Sequence, residues 1–252
     1  MFGWFRNRQR KQLAREPFPA EWEGILEETF EFYPRLAPAV RQEFQNKLRI
    51  FLAEKAFFGA RGLEITDEIR VIVGASAVRL ILFLDLSLYN SVREIVVYPD
   101  DYVHPEDGDV MLGEVFEFGT VLLSWSAVQD GVQNPHDGTD TAIHEFAHML
   151  DWANGEFDGI PPLGSVAEVK EWERLLGVHL AALQMNRRKQ RMVLREDGGD
   201  DESEFFAVAT ESFFEKPKVM RQLLPDLFEA FLRFYRYDPS ADPIQGPWVD
   251  SD

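Results

Sequence analysis

The sequence predicts an α+β fold, mostly helical, with helices on both sides of a small mixed or antiparallel sheet. Two observations carry this. Apolar residues recur at helical spacing through residues 21–57, 66–84 and most of 139–236. Residues 93–126 break instead into short runs rich in Val, Ile, Phe and Tyr, split by Pro, Gly and Asp clusters. A chain of 252 residues, 45% hydrophobic and 13% aromatic, has ample apolar material for the core such a fold needs.

Taken in order, residues 1–19 carry Arg6, Arg8, Arg10, Lys11 and Arg15 with no apolar run behind them. That is not a secretory signal, and it reads as a basic, solvated, partly disordered arm. "EWEGILEETFEFY" at 21–33 reads as a helix. Beyond Pro34 and Pro38, the spacing of Val40, Phe44, Leu48, Phe51 and Leu52 gives a second. "TDEIRVIVGASAVRLILFL" at 66–84 opens on a capping Thr66 and an acidic first turn, and its length favours a buried helix over a strand. "REIVVYP", "EVFEFG" and "TVLLSWS" then read as strands joined by antiparallel hairpins. Helical patterns return at 139–152, about 165–188, 202–215 and 225–236, with an acidic loop, "LREDGGDDESE", at 194–204. No repeat or long linker divides residues 20–240, which read as one domain, followed by an irregular tail at 241–252.

Charge and composition narrow the function. With 44 acidic against 26 basic residues the net charge is -18, which repels phosphate backbones and excludes nucleic acid as the main partner. No stretch reaches the roughly 18 apolar residues of a membrane span. There is no cysteine, so any metal must be held by imidazole and carboxylate, and the absence fits a reducing, cytoplasmic location.

The chemistry concentrates in "TAIHEFAHMLDWANGEFDG", residues 141–159. His144 and His148 are four apart, so on a helix both imidazoles leave one face one turn apart and can ligate a single Zn2+ ion. Glu145 beside them can take a proton from a water on that ion as general base. The flanking Ile143, Phe146, Ala147, Met149 and Leu150 make this a buried helix, where unpartnered histidines would cost several kcal/mol, on the order of a lost buried hydrogen bond each. A catalytic zinc needs a third protein ligand. The extended HExxHxxGxxH form is excluded, because Asp151 and Asn154 stand at its positions. A later helix, "SEFFAVATESFFEKP", offers Glu204 and Glu211, seven apart and nearly on one face, and spacing alone does not choose between them. The small Ala207 and Val208 between them suit close approach to the metal helix. Glu168, Glu171 and Glu173 sit in a charged pattern that faces water. Asp151 shares a face with His144 and can accept a hydrogen bond from a ligand imidazole. His136 reads as a turn residue, and His104 and His179 as surface or internally satisfied histidines.

These segments together resemble the Mlc titration factor A family, zinc peptidases of the gluzincin type with a zincin-like fold. In motif arrangement they are also similar to the catalytic domain of anthrax lethal factor. "VYP" at 97–99, "VLLSWSAV" at 121–128, "NPHDGTDTAIHEFAHMLDWANGEFDG" at 134–159 and "EFFAVATESFFEKP" at 204–217 follow the family pattern in order, and the likeness spans about residues 20–240. The resemblance implies that His144, His148 and Glu204 bind one zinc, that Glu145 is the general base, and that Glu211 is a supporting neighbour. It implies a monomeric, cytoplasmic, aminopeptidase-like enzyme acting on peptide substrates, with a regulatory tie to an Mlc-like transcriptional repressor. Two positions depart from the pattern: Ser126 stands where "SWDAV" is usual, and Asp197-Gly198 where a Tyr-Gly pair is common. A tyrosine there would donate to the oxyanion, and this chain has none between Tyr102 and Tyr235. The alternative expectation is a zinc-containing regulatory protein that sequesters a transcription factor with little or no catalysis. If the chain is an enzyme, "TVLLSWS" is the strand expected to pair with substrate.

Overall fold

The computed structural model describes residues 2–13 (side chains from residue 8), 16–104, 108–116 and 118–247. Helices dominate: α1 (Phe2–Leu13), α2 (Ala20–Thr29), α3 (Pro38–Glu54), α4 (Asp67–Leu80), α5 (Trp125–Gln133), α6 (Thr141–Asp151), α7 (Val166–Gln184), α8 (Arg188–Val193), α9 (Glu202–Glu215), α10 (Pro217–Leu223) and α11 (Pro225–Tyr235). The strands are β1 (Ala56–Gly59), β2 (Glu94–Tyr98), β3 (Tyr102–Val103), β4 (Val110–Met111), β5 (Gly113–Phe116) and β6 (Thr120–Ser124). The α+β, mostly helical class read from the sequence is therefore the observed one.

The sheet differs in detail from the expected hairpins. Its order is β1-β2-β6-β5, with β1, β2 and β6 parallel and only β5 antiparallel to β6. Parallel neighbours need a long crossover, and α4 lies in the crossover from β1 to β2. β1 escapes sequence reading because "AFFG" continues the apolar run of α3 without a period of its own. This order also overturns the substrate-strand expectation for "TVLLSWS": β6 is hydrogen-bonded on both sides, to β2 and to β5, so it has no free edge. Residues 125 and 126 of that stretch already belong to α5, which the Ser124 hydroxyl starts by accepting from Ala127 N at 3.2 Å.

Helix α4 is buried from Val71 through Leu80, as its mostly apolar character favours, with Ser76 and Arg79 buried among the apolar residues, and Thr66 caps it through Ile69 N. A second body of core joins α7, α9 and α11 through Trp172, Phe206, Phe213, Phe231 and Tyr235, whose rings pack at 5.2–6.1 Å. Pro217 and Pro225 start α10 and α11, where a missing N–H costs nothing.

The expected arm forms α1, whose Arg10 makes a bidentate pair with Glu54 at 2.6 Å. Arg15 and residues 248–252 of the tail lie outside the described residues. Ahead of them, Ile244 is pinned by exchange of backbone bonds with Arg35 and Ala37. Among the described residues no helix is long and apolar enough to cross a membrane.

Candidate metal centre

Two capped helices bring the polar residues together. Asp140 caps α6 by accepting from Ile143 N at 2.9 Å, and this start sends His144 and His148 off one face a turn apart. Asp201 caps α9 by accepting from Glu204 N at 2.9 Å, which places Glu204 in the first turn of a helix packed against α6. The Glu204 carboxylate lies 3.3 Å from Nε2 of each histidine, and the two Nε2 atoms are 3.1 Å apart. Tetrahedral zinc with bonds of about 2.0–2.1 Å separates its ligand atoms by about 3.3–3.4 Å. The two imidazole nitrogens, and each of them with its own Glu204 oxygen (Oε2 for His144, Oε1 for His148), therefore stand close to the edge length of such a tetrahedron, and His144, His148 and Glu204 form a cluster that can hold a metal ion. Burial opposes ionisation of Glu204, but with no ion bound, His144 and His148, when they carry a second proton on Nε2, outweigh it and hold the carboxyl far below its usual range.

The neighbours of the histidines decide which nitrogen is free. Glu211, with no exposed surface on its side chain, accepts from His144 Nδ1 at 2.6 Å. Ser203 Oγ donates to Asp151 Oδ2 at 2.7 Å, so it can only accept from His148 Nδ1 at 3.0 Å. Both protons are thereby fixed on Nδ1, and both Nε2 lone pairs point at the metal position. Asp151 thus acts one hydroxyl away from the ring, not by direct contact. Its second duty is to accept Gly159 N at 3.0 Å, and burial pushes its pKa up to about 6.

Glu211 is also the meeting point of α6 and the 195–201 segment. Its Oε2 accepts Asp140 N at 2.9 Å, and its Oε1 accepts Arg195 Nη2 at 2.7 Å. Arg195 in turn binds Asp197 Oδ2 through Nη1 at 2.8 Å. Asp197 is consequently an acceptor held by a guanidinium and is no substitute for a tyrosine donor. Ser126, the other departure, lies with Ser124 and Asp101, away from the ligand cluster. Tyr102 is kept protonated by its burial and by the carboxylates of Glu114 and Glu145.

Glu145 is 6% exposed, and burial raises its pKa against the pull of His144 and His148. β5 presses directly on it: a Cβ built on Gly113 would stand 2.5 Å from Glu145 Oε1. Only a residue without a side chain lets the strand approach this closely. Gly113→Ala is therefore expected to displace the Glu145 carboxylate and, if Glu145 is the base expected from the sequence, to lower kcat by about tenfold or more while metal content, read by atomic emission, stays at the wild-type level. A variant with wild-type kcat would show that Glu145 has no fixed position to lose.

The remaining histidines stay apart from the centre. His136 is exposed and meets Glu31 at 3.1 Å, His179 is buried between Asp226 and Gln190, and His104 faces Glu114 at 3.7 Å. Glu168, Glu171 and Glu173 are exposed, as expected. Sequence reading missed Ser203, Arg195, Asp140 and Gly113. Asp140 carried a legible signal, an Asp three residues before the buried run; the other three act through contacts between distant segments.

A model of a peptidase family, "glucose-regulated metallo-peptidase M90", matches residues 4–236. The chain belongs to the M90 family. An uncharacterized protein of Synechocystis is 31% identical to this M90 chain over 245 residues, covering 92% of it and 89% of the relative. Proteins named Mlc titration factor A are similar: that of Pectobacterium atrosepticum is 29% identical over 230 residues (82% and 84% covered) and that of Serratia proteamaculans 27% over 244 residues (88% of each). Metallo-peptidase membership and the His144, His148, Glu204 cluster agree, since the M90 chain has no cysteine and offers a metal only imidazole and carboxylate donors.

One turn beyond Glu211, Glu215 accepts Gly138 N at 2.7 Å and Thr139 N at 2.9 Å, and burial, then the nearby Asp140, pushes its pKa up to about 8. Its folded pKa thus exceeds its unfolded one. Between pH 4.5 and 8 the unfolded chain gives up this proton before the folded one, and stability falls as pH rises. Glu215→Gln removes that loss. In urea unfolding the variant is expected to gain about 1–3 kcal/mol on wild type between about pH 5 and about pH 8. A difference that stays flat with pH would mean that Glu215 is ionised in the folded chain.

Proposed function

We propose that this M90 chain is a zinc-dependent peptidase of aminopeptidase-like scope, in which His144, His148 and Glu204 hold one zinc ion and Glu145 is the general base. The observation that carries it is the convergence of two imidazoles with set tautomers and the Glu204 carboxylate on one point, beside a buried carboxylate on the same helix as the histidines. Zinc, when bound there, supplies a Lewis-acid centre that polarises the scissile carbonyl and acidifies the attacking water. Glu145 takes the proton of that water on a carboxylate oxygen and hands it to the leaving amine. Glu211, and Asp151 through Ser203, hold the rings so that neither imidazole rotates away during the cycle.

Substrate recognition falls to β5. It is an edge of the sheet, and it passes against Glu145 at Gly113. A peptide added to that edge would lie beside the general base, held mainly by backbone bonds, with little selectivity for side chains. The aminopeptidase-like preference rests on the family resemblance.

One observation favours a second reading, a zinc-containing protein that sequesters an Mlc-like repressor with little catalysis. Asp197, at the position of the family's tyrosine, is tied to Arg195 and cannot donate to an oxyanion. The name of the Pectobacterium and Serratia relatives supports such a partner. Metal content, together with hydrolysis of aminoacyl chromogenic substrates by wild type and Glu145→Gln, separates the two readings.

A further inference from the structure

A pocket of about 410 Å³ opens beside the 138–140 turn that leads into α6, and neither zinc-site histidine nor Glu204 lines it. Its size is that of a small-molecule site. Its walls combine the aromatic rings of Phe30, Phe32 and Phe214 with four basic side chains, Arg35, Arg79, Lys216 and Lys218. In a chain of net charge -18 this is an unusual local gathering of cations.

Arg79 is the central one. It is 9% exposed, its Nη2 donates to the Phe214 carbonyl at 3.1 Å, and its guanidinium lies over the rings of Phe32 at 4.6 Å and Phe214 at 5.1 Å. Among the described residues no carboxylate makes a direct ion pair with it, and its charge acts at longer range on the buried Asp140 and Glu215 carboxyls, offsetting part of the pKa rise that burial gives each. A buried cation without an ion-pair partner is costly and attracts an anion. Arg35 donates to the Pro239 carbonyl at 2.8 Å and keeps a buried Nε with no partner.

The acidic groups of the wall make their hydrogen bonds within the protein, although Asp140 and Glu215 also feel the charge of Arg79. Glu31 meets His136 at the exposed rim. Asp140 caps α6, and Glu215 holds two backbone N–H groups through Oε2. Glu215, pushed up to about 8, presents a carboxylic acid at neutral pH and so adds a donor to the pocket in place of a charge.

We propose that this pocket binds a small organic anion, a carboxylate or phosphate monoester head on a flat apolar body, with Arg79 and Arg35 on the head and Phe30, Phe32 and Phe214 around the body. Guanidinium forks suit both heads. The occupant would touch Asp140, whose N–H holds Glu211 behind His144, so the site abuts the support of the metal centre without sharing its ligands.

Isothermal titration of the full chain with phenyl phosphate and with 3-phenylpropionate, metal-loaded and metal-stripped, tests this and tells the two heads apart. Saturable binding of at least one probe is expected in both forms. Arg79→Met should weaken it about tenfold or more, in keeping with the loss of a charge-assisted pair. Because Arg79 is buried and its replacement can unsettle folding, the rim variant Lys216→Ser/Lys218→Ser is the second arm. It should weaken binding about threefold with an unchanged melting temperature. Glu204→Gln should leave binding as in wild type. The proposal falls if neither probe binds, if binding ignores both the Arg79 and the lysine changes, or if Glu204→Gln abolishes it, which would assign the anion to the metal centre.

Discussion

Glu145→Gln is expected to lower kcat/KM on aminoacyl chromogenic substrates by about a thousandfold or more while the protein keeps its full zinc content. Loss of general acid–base catalysis alone costs about 10²–10⁴. Glutamine has the volume of glutamate, so it fills the same space against Gly113 and leaves the helix packing undisturbed. Its amide cannot take the proton of the attacking water or return one to the leaving amine. The proposed ligands are untouched, because His144 and His148 are oriented by Glu211 and Ser203 rather than by Glu145. A large fall in kcat with metal intact therefore separates base loss from metal loss. If the variant retains a tenth of wild-type activity, another group is the base. If wild-type protein binds zinc yet hydrolyses no peptide faster than the variant, the regulatory-binding reading replaces the enzymatic one.

The parts of this structure that sequence made legible are those set by short-range pattern. α4 announces itself by Thr66, two acidic residues and a long, mostly apolar run, and from Val71 onward it is buried to its end. α6 and α9 show the same clarity, since a four-residue and a seven-residue spacing can only be read one way on a helix. Illegible were the pairings between distant segments. The parallel placement of β1 beside β2 leaves no local trace, because four residues after a helix carry no period of their own. Asp151 shares a face with His144 along the helix, yet it serves His148 through Ser203, a residue that arrives from α9. Arg195 is one arginine in a loop of mixed charge until Glu211 and Asp197 are seen on either side of it. The choice between Glu204 and Glu211, open on spacing, turns on helix start: Asp201 caps α9 so that Glu204 faces both Nε2 atoms while Glu211 falls two turns deeper, behind His144.

That division of labour predicts unequal costs for the two glutamates. Glu204→Gln is expected to reduce zinc affinity by about a thousandfold or more, because it removes an anionic ligand and leaves two neutral imidazoles to hold a dication. Glu211→Gln is expected to cost about 10–100-fold, the range for a residue that orients a ligand without touching the metal. The amide oxygen of the introduced glutamine can still accept from His144 Nδ1, but it carries no charge against Arg195, whose guanidinium is then left with Asp197 alone. The second cost should therefore respond to Arg195. In the double variant Arg195→Met/Glu211→Gln the unpaired cation is gone, and affinity should recover part of the Glu211 loss, by more than the Arg195→Met single variant alone gains, a coupling that additive effects would not give. Competition with a chromogenic chelator at one fixed pH measures wild type and the variants on one scale. Equal losses at the two glutamates would mean that Glu211 also reaches the metal. A larger loss at Glu211 than at Glu204 would move the third ligand there and overturn the reading of α9 on which the proposed mechanism depends.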